Sequence, residues 1–298
     1  MDLSLVVCTR NRCRQLARCL ESVGCITFAR PWELIVVDNG SSDETAATIR
    51  EFAARACFPV RYVFEPKPGL GNARNSGVAM AGGAIVAFTD DDCYPAPDFL
   101  ARIWSAFADQ SIGYITGRIL LHDPTDEPMT IRVSMTPLTF PAKSFINAGA
   151  VSGANIAFRR SVLDKIGGFD PLFGTGSLFS AEDLDAAGRA SLFGWRGEYR
   201  PEVVVSHHHG RKAADIPRLV RGYGIGIGAY HMKVLLQEHQ FSWFLRSISQ
   251  VRRRLRASVR SVLWETVGAA MYAYIYLRQS LDRSDRKVRT AALQSNKD

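Results

Sequence analysis

Four short apolar runs, each closing on a polar loop, punctuate the first third of the chain: Leu3-Ser4-Leu5-Val6-Val7-Cys8, Glu33-Leu34-Ile35-Val36-Val37-Asp38, Val60-Arg61-Tyr62-Val63-Phe64 and Ala84-Ile85-Val86-Ala87-Phe88. Runs this short, rich in β-branched and aromatic residues, read as buried strands. Helical stretches lie between them. Leu16, Cys19, Leu20 and Val23 recur at helical spacing, and the loop Asn39-Gly40-Ser41-Ser42-Asp43 is expected to cap a helix through Ile49 and Phe52. A third helix is expected over about 71–81. This β-α-β-α rhythm implies an α/β fold with a mostly parallel sheet and helices on both faces. Ligands of such sheets bind beyond the carboxyl ends of the strands. Thr9, Asp38 and Asp90 to Asp92 all fall there, so three separate loops converge on one rim.

The remainder is less regular. Pro124, Pro128, Pro137 and Pro141 break 113–210 into loops and short strands. A helix is expected from about Asp183 to Phe193, a strand at Val203-Val204-Val205, and helical structure from Ile216 onward. With 298 residues, 47% apolar and 22% charged, the chain is a folded globular protein and not a disordered one. All six cysteines lie in the first third, none in a C-x-x-C pair, and a chain whose opening residues lead straight into a strand is expected to have no signal peptide. Free thiols in a cytosolic protein are therefore expected. Val262 to Leu277 comes nearest to a membrane span, but it is 16 residues long and interrupted by Glu265 and Gly268. A span needs ~20.

Asp90-Asp91-Asp92 crowds three like charges at a strand end, which favours a divalent cation that could in turn hold a phosphate. A solvated acidic turn is the plainer meaning of the same triplet. Asp38 can accept a hydrogen bond from a base or a ribose hydroxyl, or help cap the next helix. Neither its loop nor Thr9-Arg10-Asn11-Arg12 has the Gly-x-Gly-x-x-Gly spacing of a dinucleotide fold. Arg74 suits a diphosphate through its planar fork, or is a surface helix arginine. Glu182 and Asp183 open a helix, where acidic residues favour the dipole; in a cleft, such a carboxylate could deprotonate a hydroxyl nucleophile. Strand alternation puts His207 and His209 on one face, where they could complete an ion's ligand set, and His208 on the other.

Taken in order, these pieces resemble the family 2 glycosyltransferases of the GT-A fold. Val6-Val7-Cys8-Thr9-Arg10-Asn11-Arg12 and Val36-Val37-Asp38-Asn39-Gly40-Ser41-Ser42-Asp43 look like the family's opening. Gly69-Leu70-Gly71-Asn72-Ala73-Arg74-Asn75-Ser76-Gly77, Phe88-Thr89-Asp90-Asp91-Asp92 and Ser152-Gly153-Ala154-Asn155-Ile156-Ala157-Phe158-Arg159-Arg160 follow in the family's order. Gly167-Gly168-Phe169-Asp170, Ala181-Glu182-Asp183-Leu184-Asp185 and the histidine run complete a match over roughly 3–230. The resemblance implies an inverting, Mn²⁺- or Mg²⁺-dependent transfer from a nucleoside-diphosphate sugar to a hydroxyl of a glycan or lipid-linked acceptor, in cell-envelope polysaccharide or glycoconjugate synthesis. It assigns Thr9, Arg10, Asn11, Asp38 and Arg74 to the donor nucleotide, with Asp90 near the ribose and Asp92 on the metal. Asp91, at the family's variable position, is open to either role. Asp90, His207 and His209 are further candidate ligands, and Gly153 and Asn155 would line the sugar and acceptor side. Asp183 would be the general base, supported by Glu182. The implied division is 1–112 for the donor, 113–215 for acceptor and catalysis, and 216–298 as a helical extension. The Gln-x-x-Arg-Trp motif of processive synthases is missing, which favours single-sugar addition.

The net charge is +8, with much of the excess late, at Arg246, Arg252, Arg253, Arg254, Arg256 and Arg260. Over 241–263, Phe241, Phe244, Leu245, Ile248, Val251, Leu255, Val259 and Val262 form the apolar side of a basic amphipathic helix. Such a helix can lie on an acidic membrane surface, which would put a cytoplasmic protein on the inner face of the membrane; packing on its own domain or in a homo-oligomer is the alternative. No nucleic-acid reader motif accompanies the arginines, so nucleic acid is not an expected partner. Two other functions compete: a nucleotidyltransferase, which would want a Gly- and Lys-rich loop near the N-terminus, and an inactive sugar-nucleotide-binding partner subunit, which would have no need of Asp183.

Overall fold

The computed structural model describes residues 1–246 and 259–295. The first four strands are β1 (Leu3–Thr9), β2 (Trp32–Asp38), β3 (Val60–Phe64) and β4 (Ile85–Asp90). They are parallel neighbours in the order β3-β2-β1-β4. β2 is buried throughout and β1 almost so. That is why both lack the alternation of a half-exposed strand. Helices α1 (Cys13–Gly24), α2 (Thr45–Arg55) and α3 (Leu70–Met80) make the crossovers. Leu16, Cys19, Leu20 and Val23 of α1 and Ile49 and Phe52 of α2 join Leu5, Val7, Leu34 and Val36 in one core on one face of the sheet. α3 covers the other face. A Cβ at Gly77 would strike Val6 and Val37, so glycine lets that helix press onto β1 and β2.

The parallel block is extended by strands of mixed direction. These are β5 (Cys93–Pro95), β6 (Ile112–Leu121), β7 (Leu138–Phe140), β8 (Asn155–Arg159) and β9 (Arg196–His207). β8 pairs antiparallel with β4 and with β6, while β9 runs parallel to β6 and antiparallel to β5 and β7. The helices here are α4 (Phe99–Ala106), α5 (Arg160–Ile166) and α6 (Glu182–Leu192). β9 far exceeds the short strand expected at Val203–Val205. Its charged residues are neutralised along the strand, where Glu198 takes Arg196 at 3.0 Å and Arg200 at 2.5 Å. The register positions Thr9 opposite Asp38, Cys8 opposite Asp90 and Cys93 opposite His207, which gathers the expected rim. All six cysteines are free thiols.

The chain divides into two compact units, Met1–Pro217 and Arg218–Asp298. α7 (Ile216–Leu236) leads into the second, which also contains α8 (Val259–Ser295). Within that unit α7 and α8 cross closely: a Cβ on Gly228 would collide with the backbone of Glu265, and one on Gly268 with that of Ile225. Tyr272 donates to Gln237 Oε1 at 2.7 Å. Of the amphipathic segment expected over 241–263, residues 247–258 lie outside the described residues, and 241–246 are helical. Among the described residues, no helix is long and apolar enough to cross a membrane.

Candidate active site

At the carboxyl ends of β1 and β4 lies a cleft of about 310 Å³, within the range of small-molecule sites. Its wall includes Thr9, Arg10, Arg12, Asn39, Asp90 to Asp92 and His207, with Thr175 and Gly176 from the loop before α6 and Arg211 from beyond β9. Asn11 ties two loops of this rim together. Its Oδ1 accepts the Ser42 N–H at 2.7 Å and its own N–H donates to Ser41 Oγ at 2.9 Å. Its φ of 52° is left-handed, a conformation asparagine tolerates better than most residues.

The three aspartates have different surroundings. Asp90 is partly exposed, its Oδ1 3.6 Å from Arg74. Asp91 is buried and accepts the Thr9 hydroxyl at 2.7 Å; burial pushes its carboxyl up to about 7. Burial pushes Asp92 the same way, but the close imidazole of His207 and the Arg12 guanidinium outweigh it and hold that carboxyl well below the usual range. Asp92 Oδ1 lies 3.1 Å from His207 Nε2, and its Oδ2 takes Arg12 at 2.6 Å. Asp90, Asp92, Cys93 and His207 each bring a potential ligand atom within 4.8 Å of the others. Asp92 Oδ1 and His207 Nδ1 are buried with no hydrogen-bond partner among the described residues. Carboxylate oxygens and an imidazole suit Mg²⁺ or Mn²⁺, so these residues fit such an ion. Burial drives the Cys93 thiol well above its ordinary value, which leaves it protonated and a poor partner for a hard cation.

His209 does not join this group. β9 ends at His207, and beyond it strand alternation no longer sets the side chains. The His209 ring stays near that of His207, at 4.9 Å. Its Nδ1, however, accepts the Arg211 N–H at 3.1 Å and lies 3.6 Å from Asp126. The expectation that His209 ligates the metal is corrected accordingly. His208 points the other way, to the Tyr94 hydroxyl at 2.9 Å.

Arg74 also departs from expectation. It is 2% exposed and lies under the cleft, which Ala73 lines in its place. Its guanidinium serves protein partners, with Glu182 Oε1 at 3.0 Å, Asp90 at 3.6 Å and the Gly153 carbonyl, accepting, at 3.2 Å. The Phe88 and Phe169 rings flank it at 5.5 and 5.4 Å. Asp38 is likewise buried, accepting the Ser41 N–H at 2.7 Å and the Tyr62 hydroxyl at 3.1 Å, while its neighbour Asn39 reaches the cleft. Asn155, expected on the acceptor side, is 1% exposed, and its amide donates to the carbonyls of Arg118 and Val203, both at 3.0 Å. The register of β6 and β9 slips between Gly117 and Arg118, and the Asn155 side chain satisfies the carbonyls freed there. It pins the sheet and does not line a site.

Asp183 and Glu182 open α6. Ala181 before them has a φ of 78°, a strained backbone for a residue with a Cβ. Asp183 Oδ2 accepts the Gly153 N–H at 2.6 Å and its Oδ1 the Leu184 N–H at 2.7 Å. Burial raises its carboxyl, and raises that of Glu182 to about 7 against the opposing charge of Arg74. Gly153 has no room for a side chain, because a Cβ would meet the Arg74 guanidinium. Cys8, on the cleft wall, is pushed up to about 12 by burial and stays a thiol.

The sequence matches the description "Glycosyl transferase family 2" over residues 4–167, more than half its length. The chain belongs to glycosyl transferase family 2. Glycosyltransferase AglE of Haloferax volcanii is 25% identical over 290 residues, 97% of this chain and 88% of the relative. O-antigen chain rhamnosyltransferase RfbN of Salmonella typhimurium is 26% identical, covering 70% of this chain and 67% of its own. The chain spans about half of other curated relatives, 55% and 56% in two cases. Mannosyltransferase PcManGT from Pyrobaculum calidifontis, solved with GDP-Man and Mn²⁺, superposes with a TM-score of 0.61 at 20% identity, over 94% of this chain and 83% of that one. The fold of this family 2 glycosyltransferase is therefore GT-A. The resemblance is confirmed at the level of family and fold.

Proposed function

We propose that this glycosyltransferase moves one sugar from a nucleoside-diphosphate donor to a hydroxyl of a glycan or lipid-linked acceptor, with inversion and with Mn²⁺ or Mg²⁺. One observation carries the reading: Arg74 joins the Asp90–Asp92 strand end to the Glu182–Asp183 helix start, so a cation-holding group and a proton-accepting group share one scaffold. Residues 1–112 would form the donor half and 113–215 the acceptor and catalytic half.

Asp90, Asp92 and His207 would hold the metal, with Thr9, Arg10, Asn11 and Asn39 around the nucleotide. A bound Mn²⁺ or Mg²⁺ supplies positive charge that neutralises the departing diphosphate. Asp183 would accept the acceptor's hydroxyl proton as the new bond forms at the anomeric carbon and the bond to the donor phosphate breaks. The two N–H groups on Asp183 fix its orientation, and its raised pKa brings it closer to the working range of a general base. Buried Glu182 would position it, held by Arg74. The name of RfbN, an O-antigen chain rhamnosyltransferase, supports the envelope-glycan setting, and a lipid-linked acceptor would place the reaction at the cytoplasmic face of a membrane.

Calorimetry with UDP, GDP and dTDP, with and without Mn²⁺, followed by turnover of the matching sugar donors, tests the proposal. Mn²⁺-dependent binding of one nucleotide, with turnover lost in Asp183→Asn, is the expected outcome. Absence of nucleotide binding in the presence of metal would sink it.

A further inference from the structure

Arg12 stands on the carboxylates that the cation needs. Its guanidinium lies 2.6 Å from Asp92 Oδ2 and 3.3 Å from Asp91 Oδ1, while Asp92 Oδ1 faces His207 at 3.1 Å. Arg12 thus holds one oxygen of Asp92 before any ligand arrives, and the other, Oδ1, faces His207 without a hydrogen bond. An arginine cannot shed its proton to make way. A divalent ion on Asp92 would meet a like charge a few ångströms off, and the repulsion is relieved only if the guanidinium leaves.

The surroundings suit a side chain that moves. Arg12 is 38% exposed, whereas the carboxylates it pairs with are 5% and 6% exposed and Arg74 is 2% exposed. It follows Asn11, where the backbone is left-handed. The cleft offers a destination too, because Arg10 and Arg211 share its wall and a diphosphate there would accept a planar fork.

We propose that Arg12 is a stand-in for the cation. In the free enzyme it neutralises Asp91 and Asp92; when metal and donor enter together, it moves to the donor's diphosphate oxygens. Metal alone must displace the guanidinium without offering it a new partner, and so binds weakly. Metal with diphosphate supplies that partner, so each tightens the other by the same factor, as linkage requires. The inference rests on the metal and donor reading above.

The test measures Mn²⁺ affinity by the loss of the free-ion electron paramagnetic resonance signal, with and without UDP or GDP, so no turnover is needed. In the wild type, the nucleotide that binds is expected to tighten Mn²⁺ by roughly 5–150-fold, the usual span of coupling between sites. Arg12→Gln is expected to bind Mn²⁺ alone about tenfold more tightly and to lose that same factor of the coupling, the direct attraction between ion and diphosphate remaining. Arg12→Lys, which keeps the charge without the fork, should resemble the wild type for Mn²⁺ alone. If Arg12→Gln binds Mn²⁺ no more tightly than wild type, or if Arg12→Lys tightens it equally, the stand-in role is overturned and Arg12 is a fixed ion pair. Asp92→Asn separates the two readings. Loss of Mn²⁺ binding there upholds the metal site whatever Arg12 does, and unchanged binding removes the site and the inference together.

Discussion

Two carboxylate sites, Asp92 after β4 and the Glu182–Asp183 pair at the start of α6, begin as the same chemistry and are treated in opposite ways. Asp92 is held ionised by His207 and Arg12 in spite of its burial. Asp183 and Glu182 are pushed up by theirs, and the single charge of Arg74 only partly offsets the shift. The difference lies in the close partners each carboxylate meets: Arg12 and the His207 imidazole at Asp92, Arg74 alone at the α6 pair. A carboxylate meant to hold a cation must stay charged, and one meant to take a proton gains from being a stronger base.

The sharpest way to break this comparison is to remove each charge in turn. Asp183→Asn should lower turnover by ~10²–10⁴-fold, the usual worth of a general base, while Mn²⁺-dependent nucleotide binding stays at the wild-type level. Should binding fall in step with turnover, the two sites would share one role. Arg74→Met leaves Glu182 buried without its partner, and thermal or denaturant unfolding should show a loss of about 3–5 kcal/mol. A smaller loss would mean that Glu182 is held neutral and needs no partner. Asn155→Ala strips two carbonyls of their donor, and the same unfolding measurement should register ~1–3 kcal/mol, with the Michaelis constants unchanged. A raised acceptor KM without loss of stability would restore Asn155 to the acceptor side. The smallest effect lies in the pH profile. The base works only as a carboxylate, so turnover falls as pH drops through its folded pKa, which burial places above the ordinary 3.8. The acid limb of kcat/KM should therefore lie above pH 3.8, and a limb at or below that value would remove Asp183 as the base.

Much of the donor-side architecture was legible in the residues, because β1, β2 and β4 are buried runs whose composition carries the signal. β9 was not, since Arg196, Glu198 and Arg200 look like solvated charges until their ion pairs are seen. Among site residues, the aspartates and the Glu-Asp pair could be located because the strand end and helix start that hold them were visible. Arg12 was passed over. Its role depends on carboxylates some 80 positions away, and nothing local to Thr9-Arg10-Asn11-Arg12 points to them. Arg74 and Asn155 failed for the converse reason: their types suit a ligand, but tertiary packing gave them to the protein. His209 was misassigned by extending strand alternation two residues past the end of β9.

Arg74 has a consequence for recombination between relatives. It belongs to α3, yet its receptors, the Gly153 carbonyl and the Glu182 carboxylate, come from the later stretch that would bind the acceptor. A chimera that grafts a foreign acceptor half onto residues 1–112 inherits a buried guanidinium with a fixed demand: no side chain at 153 and an acid at 182. Donor and acceptor specificities can be exchanged between such enzymes only where the graft brings that socket with it.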